Sequence, residues 1–214
     1  TLPSEVEVQY WGVAHMRTMW SEDPAATLAE RAALRARLAG SGDRQAIAGL
    51  AGDRVDDALV QKRFGEAYEI ARTELPAVPV RLDLWFSMLG AVMLSDRTRL
   101  ADTLEAAESN PFRGRLAELY KHAFRAALAG VDGEPVRAEA EWRRVHELAA
   151  ECLPEGLRAI TLALAGHSLG NSHPYGLDSG RRAYELFSDR GATTLLDVFS
   201  TGVFEPEERA ANTA

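Results

Sequence analysis

Gly166-His167-Ser168-Leu169-Gly170 has the G-x-S-x-G spacing of a nucleophile elbow, in which a strained strand-to-helix turn exposes a serine hydroxyl to an ester or amide carbonyl. That chemistry needs a strand before Ser168, and an acid followed by a histidine after it. Upstream, Leu157, Ile160, Thr161 and Leu164 follow a helical period instead. Downstream, His173 is the last histidine, and Asp178 follows it in the wrong order. The spacing is therefore expected to be a helix C-terminus with Gly170 as a left-handed cap, and a serine hydrolase acting through Ser168 is the alternative reading.

Metal chemistry finds little support. His167 and His173 lack a placed third ligand, and His122 and His146 lie within helical patterns where packing explains them. Asp132, Gly133 and Glu134 are not set in a calcium-loop spacing, and no glycine-rich phosphate loop occurs. Glu139, Glu141, Glu147 and Glu151 are interleaved with Arg137, Arg143 and Arg144, as on a solvated helix face. The expectation is a non-enzyme without cofactor or metal.

The elements that would position these residues are helices. Across 111–154 the stripe Leu116, Leu119, Tyr120, Ala123, Ala127 is followed, after the short segment 130–134, by Ala138, Trp142, Val145, Leu148, Ala149. So short a connection makes the pair an antiparallel αα-hairpin. Helices are also expected over 4–20, 25–38, 80–94, 97–109, 155–170, 177–190 and 193–203. Between them, a short apolar segment at 47–50 should precede a long helix from about 53 to 75. No stretch has the period-two alternation of a strand.

An internal repeat ties these helices together. Leu82, Trp85, Phe86, Leu89, Leu94 align with Leu116, Leu119, Tyr120, Ala123, Leu128 and with Leu157, Ile160, Thr161, Leu164, Leu169. A turn follows each last leucine: Ser95 and Asp96, then Gly130, then Gly170 and Asn171. Among the second helices, Ala67-Tyr68-Glu69-Ile70 recurs as Val145-His146-Glu147-Leu148 and as Ala183-Tyr184-Glu185-Leu186. Ala71, Ala106 and Ala149 each stand five residues before a proline, and Ala67 and Ala183 lie 116 residues apart, three units of just under 39. Trp142, Leu148, Leu116, Tyr120, Leu89 and Leu164 should be buried. Trp11 and Trp20, with Tyr10, Met16 and Met19, are less tied to the repeat.

These helix pairs, with small residues at crossing points and a proline after the second helix, resemble tetratricopeptide repeats, whose usual length is about 34. Longer, degenerate units are similar to the helical arrays at the C-terminal end of actinobacterial regulators, among them NTPase-linked transcriptional activators, protein kinases and nucleotide cyclases. The resemblance covers roughly 53–200, and the run from Ala183 to Phe199 resembles the way such arrays end. It implies an all-α fold of αα-hairpins stacked as a right-handed superhelix. Residues 1–52 would form N-terminal helices or a degenerate first repeat, 53–204 the repeats, and 205–214 a polar tail. By analogy, first helices line the concave face, which puts Arg81, Asp83, Arg115, Glu118, Lys121, Arg125 and Arg158 in reach of a partner.

Composition narrows that partner. The chain has 214 residues and a net charge of −8, which disfavours phosphate-backbone binding. No apolar run is long enough for a membrane span. Cys152 is the only cysteine, which excludes an intramolecular disulfide and fits a cytoplasmic location. The start at Thr1, without a methionine, suggests a piece of a longer protein. The expected function is a protein-interaction or sensor module of a larger bacterial regulatory protein, bound to a protein, a peptide or other domains of its parent.

Overall fold

A computed structural model describes residues 44–75, 82–109 and 113–199, together with helical positions 29, 32, 33 and 36. The helix expected at 4–20, its tryptophans and most of 25–38 lie outside the described residues. Among the described residues every regular element is a helix, so the chain is all-α there. The helices are α1 (Arg44–Val60), α2 (Phe64–Thr73), α3 (Leu82–Leu94), α4 (Arg97–Ser109), α5 (Arg115–Val131), α6 (Pro135–Cys152), α7 (Glu155–Leu169), α8 (Pro174–Ser188) and α9 (Thr193–Phe199).

The chain divides into two compact units, one comprising 1–90 with 190–198 and the other 91–189 with 199–214. In the first, α1 and α2 replace the single long helix expected from 53 to 75. Helix α1 begins earlier, at Arg44, and runs through Gly52 without a break. It stops because Lys62 takes a left-handed conformation at φ 57°. There the Arg63 N–H reaches the Ala58 carbonyl at 2.7 Å and the Lys62 N–H reaches that of Leu59 at 2.9 Å, the paired bonds of a Schellman cap. A non-glycine residue in this conformation costs about 1 kcal/mol, so sequence pattern alone does not announce the stop. The Lys62 ammonium bonds Asp197 at 2.9 Å, and Arg54 holds Glu74 at 2.7 Å. A Cβ on Gly90 would meet the Phe64 carbonyl oxygen at 3.0 Å and Tyr68 Cβ at 3.1 Å, so glycine lets α3 lie close to α2.

In the second unit α5 packs on α4, α6 and α7, while α7 packs on α6 and α8. The α5–α6 turn closes with a second Schellman cap, with Gly133 at φ 74°, Glu134 N–H to the Ala129 carbonyl at 2.8 Å and Gly133 N–H to that of Gly130 at 3.2 Å. Helix α5 thus continues through Gly130, where the turn was expected. Pro135 and Pro174 each occupy the first turn of their helix, where a missing N–H costs nothing. Helix α8 begins at Pro174, three residues earlier than expected.

The repeat register carries over into burial. Trp85, Leu119 and Ile160 are buried, as are Phe86, Tyr120 and Thr161, and Leu89, Ala123 and Leu164, while Leu94, Leu128 and Leu169 are all half-buried. In the second helices Ala67, Val145 and Ala183 are buried and Glu69, Glu147 and Glu185 are exposed. Leu116 departs from the expectation: it is half-buried, like its counterpart Leu157. Both sit in the first turn, beside the exposed Arg115 and Glu155, so each stripe is fully covered only from Leu119 and Ile160 onward. Trp142, Leu148, Tyr120, Leu89 and Leu164 are buried as expected. Each such side chain withdrawn from water contributes about 1.5–3 kcal/mol.

Candidate binding surface

Helix α5 carries most of the polar positions assigned to a binding face, and its neighbours claim them. Arg115 pairs with Glu151 and His122 with Glu141, both on α6. Arg125 bonds Glu108 of α4 at 2.6 Å. Within α5, the Lys121 ammonium donates to Glu118 at 2.9 Å and holds that carboxyl below its ordinary range. Arg115, Glu118 and Arg125 fall three to seven residues apart along one side of the helix, so the structure brings them onto a common face. Arg158 lies on α7, half-buried, and its Nε has no hydrogen-bond partner among the described residues. Arg81 and the Asp83 side chain lie outside the described residues.

A cleft of about 330 Å³ opens between α4 and α5. Its apolar floor is Ala101, Leu104, Leu128 and Ala129. Because the helices are antiparallel, an ion pair stands at each end: Arg97 with Asp132 at 2.7 Å, and Arg125 with Glu108 at 2.6 Å. Arg137, from the first turn of α6, lines the cleft while bonding Glu134 at 2.9 Å. Glu105 completes the lining. It is exposed, and it is the one lining charge without a hydrogen bond or ion pair among the described residues. The volume matches the low end of small-molecule and side-chain pockets. Of the proposed residues only Arg125 lines this cleft; half of the lining, from Arg97 to Glu108, belongs to a second helix, α4, which an analogy restricted to first helices passes over.

A second polar cluster joins α6 to α8. Tyr175 Oη and His146 Nδ1 lie 2.6 Å apart, and the imidazole stacks toward Trp142 with ring centres 6.3 Å apart. Burial holds His146 neutral, its pKa lowered to about 4, against an opposing contribution from the Thr161 backbone. Burial also pushes the Tyr175 phenol up. The Arg143 guanidinium covers the Tyr175 ring at 4.4 Å and bonds Glu139. Each of these groups is engaged by another side chain of the cluster, which makes it a joint between helices.

Ser168 sits in the last turn of α7, so the Gly166–Gly170 spacing lies on a helix end and not on a strand-to-helix turn. A Cβ on Gly130 would fall 2.8 Å from Ser168 Oγ. Gly170 does cap the helix, with φ 74° and ψ 172°, a region open essentially to glycine alone and distinct from the left-handed helical one expected. His167 ends the same helix, its Nε2 3.5 Å from Ser95 Oγ. His173 precedes α8 and lies 3.6 Å from Glu139. Among the described residues no three histidine, cysteine or carboxylate side chains converge as metal ligands, and no helix is long and apolar enough to cross a membrane.

No family model, curated protein or solved structure matches the chain.

Proposed function

We propose that the chain is a non-catalytic interaction or sensor module, carried within a larger bacterial regulatory protein and working in the cytoplasm. Its helix pairs stack in the manner of a tetratricopeptide superhelix and offer a protein or peptide partner a surface of mixed charge. The observation that carries this reading is the cleft between α4 and α5: an apolar floor wide enough for side chains, framed by an ion pair at either end. Two further observations support it. The burial pattern of the first helices repeats, as stacking of like units requires. Helix α7 also contacts both helices of the preceding pair, as successive units of an array do. The exposed rim leaves orientation to charge and affinity to the apolar floor.

Selection of peptides from a random display library on the immobilised chain tests this. The selected peptides should lose at least tenfold in affinity against Leu104→Glu and Leu128→Glu, both half-buried floor positions, while the variants keep the helical circular dichroism of the parent. Failure to enrich any peptide would end the binding-module reading, and enrichment indifferent to both variants would remove the cleft from it.

A further inference from the structure

The charges around the α4–α5 cleft do not balance in the way they are used. Arg97 is committed to Asp132, Arg125 to Glu108 and Arg137 to Glu134. Among the described residues, Glu105 alone of the lining charges is uncommitted. It follows Leu104 of the floor and stands one turn from Glu108 on the same helix, within reach of anything that rests on Leu104 and Leu128. A ligand that is complementary to this surface needs an apolar stem and a single positive head. Lysine and arginine side chains have that form, with methylenes that cover apolar surface while the charged end stays in water.

From this we infer that the cleft receives one lysine or arginine side chain of a partner peptide, its stem on Leu104 and Leu128 and its cation on Glu105. The inference rests on the binding-module reading and adds the chemistry of the partner. An acidic side chain is disfavoured there, because it would meet Glu105 as a like charge and compete with the carboxylates that already pair with Arg97, Arg125 and Arg137. The chain's net charge of −8 acts in the same direction at longer range, drawing basic segments toward it. Since Glu105 is exposed, its attraction is that of a surface pair, modest and screened by salt.

The probes are three N-acetylated, C-amidated pentapeptides with alanine at four positions and arginine, norleucine or glutamate at the centre. Each is titrated into the isotope-labelled chain while amide resonances are followed by nuclear magnetic resonance. The arginine peptide should shift Ala101, Leu104, Leu128 and Ala129 and bind about threefold more tightly than the norleucine peptide, the size expected of an exposed pair. Glu105→Gln should erase that preference while retaining the norleucine shifts, and added salt should erode it. Equal binding of arginine and norleucine overturns the inference and leaves the binding module standing. So do shifts confined to residues away from the cleft, or stronger binding of the glutamate peptide. The binding-module reading fails on different grounds, namely a display selection that enriches nothing.

Discussion

In the α5–α6 hairpin the seam is tied by long side chains: Arg115 to Glu151 and His122 to Glu141. In the α7–α8 hairpin the helices meet through glycine. A Cβ on Gly166 would fall 2.9 Å from Gly180 Cα and 3.2 Å from the Gly176 carbonyl oxygen, and one on Gly176 would fall 2.6 Å from the Gly170 carbonyl oxygen. The two hairpins occupy the same repeat register, yet one is tied across its seam by long polar side chains and the other by backbone contact. Repeat position decides which residues go inside. It does not decide how two helices are joined, and the two kinds of joint tolerate change very differently.

The largest effect should come from the glycine contact. Gly166→Val places branched carbons against backbone on α8, which cannot swing aside as a side chain can. Overpacking of this kind costs about 1–3 kcal/mol, and this site should lie at the upper end in denaturant unfolding. A loss under about 0.5 kcal/mol would mean that the α7–α8 contact is loose.

A second difference is read through pH. His146 joins α6 to α8 and is held neutral in the folded chain down to about pH 4, whereas it titrates near 6.5 when unfolded. The unfolded state therefore takes up a proton first as pH falls from 6.5 to 4. Stability is fully present above that window and drops through it, by up to about 3 kcal/mol for a shift of this size. His146→Gln should flatten that part of the unfolding profile. Identical pH slopes in the two chains would mean that the imidazole is not buried in the folded state.

The smallest effect belongs to the ion-paired seam. A double-mutant cycle of Arg115→Ala and Glu151→Ala should give a coupling of about 0.2–1 kcal/mol that shrinks in high salt, because both side chains are exposed. A coupling well above that, insensitive to salt, would make the two hairpins alike.

Much of the fold was legible because helical periodicity is a local property. The positions equivalent to Trp85, Phe86 and Leu89 could be matched across three helices by spacing alone, and their burial follows that spacing. The errors have one cause. Lys62 stops α1 by adopting a conformation usual for glycine, and α5 runs through Gly130 because its cap falls at Gly133; both are dihedral choices that pattern does not encode. The Gly176-to-Gly180 spacing carries no meaning in the sequence until Gly166 is known to face it. The cleft was half legible. Arg125 was expected on a binding face, whereas Glu105 was hidden because the repeat analogy looks to first helices and Glu105 lies on a second one.

The central claim is that the α4–α5 cleft, and not the α7–α8 joint, is where a partner sits. Amide hydrogen exchange of the chain, free and saturated with a display-selected peptide, tests it most directly. Exchange should slow across α4 and the second half of α5, while α7 and α8 keep their free-state rates. Protection confined to α7 and α8, with α4 unchanged, would contradict the account.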